Sequence, residues 1–287
     1  MSTSGVPHGG VLSMVGTPIG NLGDASPRVL DTLRQADVLL CEDTRVTSRL
    51  LSHFGVRVSL QRADENTLAS RIAPTLGRIA AGERVAFVSD AGMPGVSDPG
   101  QRLVDATLDA GLRVEVIPGP SAVTCALVAS GLPMEHFFFE GFLPRRHKAQ
   151  LERLRALASV PGALVVYESP HRVAATLATI AEAFPMRQVA LVRELTKLHE
   201  EVVRGVAPHV AAELAACGEV RGECVVIIGA PEEDEATSVP VRPLEDAIAA
   251  GLAADEPPSA LAKRLAREYG LPKPQVYDRV VKASRAR

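Results

Sequence analysis

Two loops in the N-terminal half carry residue types that suit a small polar ligand. SDAGMPGVSDPG at residues 89–100 combines Asp90 and Asp98 with three glycines and two prolines, directly behind an apolar run. A loop of that composition presents several backbone N–H and C=O groups in a rigid arrangement. IPGPSA at residues 117–122 is a second rigid loop, with Ser121 placed to cap the following helix. A helix start so placed receives an anion such as a carboxylate. A structural turn explains either loop alone; both together favour a ligand site. VGTPIGNLGD at residues 15–24 adds three glycines, but Gly16, Gly20 and Gly23 do not spell G-x-G-x-x-G, and no Gly-Lys-Ser/Thr follows. CEDTR at residues 41–45 stands where a dinucleotide fold keeps its ribose-binding acid, so a nicotinamide-dependent oxidoreductase is a rival on spacing alone. The missing glycine pattern speaks against it.

Three further clusters place charges directly after apolar runs: EGFLPRR (140–146), VVYESPHR (165–172) and RELTK (193–197). One such cluster is commonly a structural ion pair. Three of them, with Glu168, His171, Arg172, Arg193, Glu194 and Lys197, look like the wall of a polar cleft. His171, at a helix start beside Arg172, is open to three roles: a base, a phosphate contact, or a solvent-facing side chain.

The elements that must hold these loops alternate. Residues 11–15, 38–41, 85–89 and 114–117 are short, apolar, β-branched runs, each leading into a Gly/Pro/Asp loop. Ser26-Pro27 and Asp98-Pro99 each put a capping side chain before a proline at a first helical position. This alternation predicts an α/β layer on a largely parallel sheet, with functional loops beyond the carboxyl ends of its strands. A second α/β block follows, with strands expected at 163–167, 188–192, 200–204 and 223–228 and some antiparallel pairing. The expected organisation is a disordered stretch 1–10, an N-terminal α/β domain 11–119, a second α/β domain 120–230, a polar acidic linker 231–242 and a basic helical tail 243–287.

Within the tail, residues 260–282 outline a helix-turn-helix, with Gly270 in the turn and Val276, Val280 and Val281 on one face. From Lys263 to Arg287 eight Lys/Arg stand against Glu268 and Asp278, six net positive charges, which suits nucleic acid. A solvated helical hairpin packed on the body is the plainer reading.

Composition narrows the choices. No tryptophan and 3% aromatic residues argue against single-stranded nucleic acid stacked on an aromatic platform. A net charge of -3 requires any basic surface to be local. Cys41, Cys125, Cys217 and Cys224 form no CxxC pair, so the expectation is buried reduced thiols, with no disulfide framework and no metal. Nothing in residues 1–10 reads as a signal peptide and no run has the length of a membrane span, so a soluble cytoplasmic protein is expected.

TPIGNLGD, CEDTR, SDAGMPGVSDPG, IPGPSA, EGFLPRR, YESPHR and RELTK, in this order, resemble the ribosomal small-subunit RNA methyltransferase I family of the tetrapyrrole methylases. The match covers nearly all of residues 11–230, and the basic tail looks like that branch's small C-terminal domain. The resemblance implies two α/β domains with S-adenosyl-L-methionine in the cleft between them, and a homodimer. It implies methyl transfer to the ribose 2′-oxygen of a decoding-centre cytidine in 16S rRNA, within the small ribosomal subunit. By the same analogy Asp90, Ala91, Gly92 and Met93, with Ser121 and Ala122, hold the cofactor, and Thr17-Pro18 lies near its methyl. Met93 stands where the family often has Thr, and Val46 where relatives often carry His, so position 46 supplies no base here.

Methyl transfer from a sulfonium is an in-line displacement, for which alignment does most of the work. A ribose hydroxyl must lose its proton as it attacks. Glu42, Asp43, Glu168 and Glu194 are possible acceptors, with Asp43 and Glu168 preferred; structural pairing of these two with Arg45 and Arg172 remains open. Arg45, Arg172 and Lys197 are expected to hold substrate phosphates or to lower the hydroxyl's pKa. The rivals are a tetrapyrrole C-methyltransferase sharing the cofactor cleft, and a non-enzymatic nucleic-acid-binding sensor using the tail.

Overall fold

A computed structural model describes residues 9–218, 220–231, 244–254, 256–269 and 271–285. The expected linker at 231–242 apart from Pro231, most of the disordered stretch at 1–10, and Gly270 lie outside them. The chain divides after Pro231 into two compact units.

The first unit is built on two five-stranded sheets. Its N-terminal sheet is β1 (Val11–Val15), β2 (Val38–Cys41), β3 (Leu60–Arg62), β4 (Arg84–Val88) and β5 (Arg113–Ile117), in the order β3-β2-β4-β1-β5, all parallel. Strands buried on both faces need apolar residues throughout, and β1 and β2 have them apart from buried Ser13. One face carries Leu12, Met14 and Phe87 against α3 (Leu68–Ala80) and α4 (Gly100–Asp109). The other carries Val15, Leu39 and Val88 against α1 (Pro27–Gln35) and α2 (Thr44–His53). Ser26 caps α1 as expected, accepting from Val29 N at 3.2 Å ahead of Pro27. Asp98 behaves differently: α4 starts one residue later, at Gly100. The Asp98 carboxylate accepts from the N–H groups of Gly95, Val96 and Gly100, closing its own loop.

α5 (Ala122–Ser130) leads to the second sheet. This comprises β6 (Phe137–Phe142), β7 (Ala163–Glu168), β8 (Gln188–Arg193), β9 (Glu201–Val206) and β10 (Cys224–Ile228), in the order β6-β7-β10-β8-β9. Only β6 and β7 pair parallel; β10 runs antiparallel to both β7 and β8, and β9 antiparallel to β8. Leu164, Val166 and Leu191 face α6 (His147–Ala156), α7 (Val173–Ala183) and α8 (Ala207–Ala216). Val165, Val192 and Ile227 face α5, joined there by Ile19 from the loop after β1. That one side chain ties the N-terminal loop into the core of the second sheet.

The second unit holds α9 (Leu244–Ala253), α10 (Pro258–Glu268) and α11 (Lys273–Arg285) around Leu244, Ile248, Leu261, Leu265, Val276 and Val280. Val281, expected on that face, is only half-buried. Lys263, Lys273 and Lys282 are exposed and have no carboxylate partner among the described residues. Only Cys41 and Cys224 are fully buried; Cys125 is half-buried and Cys217 exposed, which corrects the expectation for those two thiols. Cys125 lies on α5 and Cys217 at the end of α8, where a side chain can turn outward as readily as inward.

Candidate active site

The loops after β1 and β4 leave neighbouring strands and are joined by a reciprocal bridge. Thr17 N donates to Gly92 O at 2.9 Å, and Gly92 N donates to Thr17 O at 3.1 Å. Gly92 sits at φ +78°, a conformation that favours glycine. Behind the bridge, Gly16 and Gly119 approach so closely that a Cβ on Gly16 would lie 2.6 Å from Gly119 N and from Met93 Sδ. The three glycine-rich loops therefore pack backbone on backbone, and Gly119 N donates to the Met93 sulfur at 3.2 Å.

A cavity of about 380 Å³ opens where these loops meet the second sheet, lined by Ala91, Gly92, Met93, Ser121, Ala122 and Tyr167 among others. Its volume and largely apolar wall are those of a small-molecule site. Ser121 occupies the N-cap position of α5, but its hydroxyl makes no capping bond, contrary to the sequence expectation. Both that hydroxyl and the first N–H groups of α5 thus remain open to a ligand carboxylate. Glu168 and Glu223 also line this wall, each paired with a cation, Arg172 and Lys197 respectively. A sulfonium cofactor carrying a carboxylate fits this lining: apolar surface for a flat ring, and the α5 N–H groups with the Ser121 hydroxyl for the carboxylate. Burial pushes the Cys224 thiol, also on this wall, up to about 11, so it is a protonated apolar surface at neutral pH.

A second cavity of about 320 Å³ shares Ile19, Ala91 and Glu223 with the first. Its walls include Thr17, Pro18, Asp90, Arg49 and Lys197, with apolar surface from Leu22, Val46 and Leu50. The Thr17 hydroxyl is buried without a hydrogen-bond partner. Buried polar groups are normally paired, so a ligand is the natural source of that partner.

The structure brings Thr17, Pro18, Asp90, Ala91 and Lys197 to the second cavity, and Ala91 through Met93 with Ser121, Ala122 and Glu168 to the first. Asp43, Arg45 and Arg172 line neither. Asp43 caps α2 through Arg45 N at 2.8 Å and holds the Arg45 guanidinium at 2.6 Å. These bonds hold its carboxyl far below the usual carboxylate range. Glu168 accepts from Ser169 N at 2.8 Å and from the Thr176 hydroxyl at 2.7 Å, and pairs with Arg172 at 3.1 Å. The two structural pairs that the sequence left open are therefore formed. His171 is exposed, its N–H donating to the Ser169 hydroxyl at 3.3 Å.

Lys197 is clasped by Glu194 at 2.8 Å and Glu223 at 3.0 Å. Burial opposes its charge, but the two carboxylates outweigh it and hold the ammonium above the ordinary lysine value. The Lys197 ammonium in turn holds the Glu194 carboxyl below its usual range. Glu194 and Thr196 adopt φ +52° and +65°, so this loop stores backbone strain beside the cavity. Burial raises Glu42, whose carboxylate accepts from Asp90 N at 3.2 Å; nearby Asp98, Asp90 and Asp64 raise it further.

Sequence reasoning missed Arg49, Tyr167, Glu223 and Cys224. The last two stand at the amino end of a strand, whereas ligand loops were sought at carboxyl ends. Because β10 is antiparallel to β7, Cys224 pairs in register with Glu168. The start of β10 thereby reaches the rim.

Residues 11–211 match the family of Tetrapyrrole (Corrin/Porphyrin) Methylases, and the chain belongs to that family, in its ribosomal RNA small subunit methyltransferase I branch. A Ribosomal RNA small subunit methyltransferase I of Xylella fastidiosa is 44% identical over 283 residues, covering 96% of this chain and 99% of its own. One from Mesorhizobium japonicum is 42% identical, covering 94% and 91%. Among solved structures, the methyltransferase CobJ superposes with a TM-score of 0.58 at 23% identity, covering 77% of this chain and 94% of its own. The cobalt precorrin-4 methyltransferase CbiF gives 0.58 at 18%, covering 77% and 95%. These two likenesses concern the fold.

Proposed function

We propose that this chain is an S-adenosyl-L-methionine-dependent methyltransferase that methylates the ribose 2′-hydroxyl of a decoding-centre cytidine in 16S rRNA. The observation that carries this reading is the pair of adjoining cavities, joined at the Thr17–Gly92 bridge. The first would hold the cofactor through Ala91 to Met93 and Ser121-Ala122, with Thr17-Pro18 at the junction. The second would take the acceptor nucleoside. Bound there, the cofactor supplies an activated methyl group on a sulfonium, so the protein's task is alignment and removal of one proton. The relatives named for ribosomal RNA methylation support RNA as substrate over a tetrapyrrole.

The proposed organisation is a domain 11–119, a domain 120–230, a linker 231–242 and a tail 243–287. The exposed Lys263, Lys273 and Lys282 of the tail, without carboxylate partners among the described residues, support binding to RNA phosphates. The body carries little net attraction for RNA, which favours the assembled small subunit, in the cytoplasm, as substrate. Phe137 and Phe138 on edge strand β6, and Val202 and Val206 on edge strand β9, are exposed apolar groups of the kind a second copy covers, supporting a homodimer. Among the described residues no helix is long and apolar enough to cross a membrane, and no cluster of His, Cys, Asp or Glu is placed to hold a metal ion.

The test pairs calorimetry of S-adenosyl-L-methionine binding with methyl transfer to small subunits, free 16S rRNA and uroporphyrinogen-type tetrapyrroles. Transfer to subunits supports the reading. Cofactor binding with transfer only to tetrapyrroles overturns it.

A further inference from the structure

The acids that could take a proton from a hydroxyl in the second cavity can be compared one by one. Asp43 is bound to Arg45, and both oxygens of Glu168 are engaged. Glu194 holds Lys197 and accepts from Glu223 N. None of the three lines the second cavity. Glu42 is also off its wall, its Oε1 accepting from Asp90 N. Two acids do line it, Asp90 and Glu223, and Glu223 is paired with Lys197. Asp90 differs in carrying no ion pair among the described residues: its Oδ1 accepts from Asp43 N at 3.0 Å, while Oδ2 has no partner among the described residues.

The wall beside Asp90 suits a ligand hydroxyl, which can donate to the carboxylate and accept from a neighbouring side-chain hydroxyl. Thr17, on that wall and bridged to Gly92, buries a hydroxyl with no partner. The cavity shares Ala91, the residue next to Asp90, with the one fitted to the cofactor.

We propose that Asp90 is the catalytic base, its free oxygen taking the proton of the acceptor hydroxyl while the Thr17 side chain orients that hydroxyl; this rests on the methyltransferase reading above. As the O–H proton passes to the carboxylate, the oxygen's electron pair forms the new O–C bond, the C–S bond breaks, the sulfonium leaves as a neutral thioether, and the proton then passes to water. The Oδ1 contact with Asp43 N fixes the carboxylate's position, and the reverse contact from Asp90 N to Glu42 fixes its backbone. The charged groups around it are Glu42 and Asp43 on the loop before α2, Arg49 on α2, Asp98 on its own loop, and Lys197 and Glu223 across the cavity.

The experiment uses the full chain with small ribosomal subunits. Asp90→Asn keeps an acceptor for Asp43 N but removes the base. It is expected to bind S-adenosyl-L-methionine within about threefold of wild type while kcat falls about 10²–10⁴-fold. Wild-type kcat is expected to rise with pH and level off, whereas the variant's residual rate rises without a plateau, which a loss of loop geometry alone would not produce. Asp90→Ala, titrated with formate, supplies an independent readout through partial recovery of rate that wild type does not show. Asp90→Asn with kcat within about threefold of wild type, a loss of activity matched by loss of cofactor affinity, or no formate rescue would overturn the assignment. Absence of transfer by the wild-type chain overturns the methyltransferase reading itself, which keeps the two failures apart.

Discussion

Thr17 and Gly92 exchange two backbone hydrogen bonds, of 2.9 and 3.1 Å, although 75 positions apart in sequence. This bridge sets the border between the two cavities, and both loops depend on it. Gly92→Ala would place a Cβ 3.2 Å from Ile19 Cγ2 on a residue at φ +78°. The expected cost is about 1–3 kcal/mol of stability, accompanied by weaker cofactor binding, read by denaturant unfolding and calorimetry. An unchanged midpoint and an unchanged Kd would show that the bridge has no part in holding the cofactor.

Glycines elsewhere separate packing from backbone freedom. Gly16→Ala would drive a Cβ against Gly119 backbone at 2.6–2.7 Å, with no flexible atom to yield except Met93. We expect a destabilisation of about 2–3 kcal/mol, as for overpacked cores. Gly77, exposed within α3, has nothing within 4 Å of its Cβ position. Gly77→Ala is expected to stabilise by about 0.5–1 kcal/mol through helix propensity. Urea midpoints of the two variants test both signs.

Glu42 yields a prediction with a pH sign. Burial and three neighbouring aspartates raise its carboxyl in the folded chain. A raised group contributes most stability below its unfolded pKa and loses that contribution as pH rises through the folded value. Glu42→Gln retains an acceptor for Asp90 N but cannot ionise. Its Tm relative to wild type should therefore climb as pH is raised from about 4 to about 8. A difference that shrinks with rising pH would contradict the electrostatic origin of the effect.

Much of this arrangement was legible in the residues, and the omissions have physical causes. β1 and β2 were readable to the residue because strands buried on both faces must be apolar throughout. β3, three residues at a sheet edge and none of them buried, carries no such pattern. β6 is an edge strand whose register shifts between Phe139 and Gly141, which breaks the alternation a strand would show. The ligand loops were visible from glycine and proline content, but their partners were not. Whether Asp43 faces a substrate or its neighbour Arg45 depends on side-chain direction, which spacing does not encode.

The tail forms its own compact core, so removing residues 243–287 is expected to leave S-adenosyl-L-methionine affinity unchanged and to lower kcat/KM on small subunits. The salt dependence of subunit binding should flatten by about one unit of slope for each RNA phosphate that the tail no longer neutralises. Equal kcat/KM and equal slope for the truncated chain would show that the tail serves another purpose.

Delivery of a methyl group to a ribose oxygen of RNA can be observed in a single experiment. Small ribosomal subunits are incubated with the chain and isotopically labelled S-adenosyl-L-methionine, then digested to nucleosides and resolved by mass spectrometry. One labelled nucleoside, 2′-O-methylcytidine, mapping to the decoding centre, is the expected product. Label on a nucleobase, or label absent from RNA while the cofactor binds, would contradict ribose methylation.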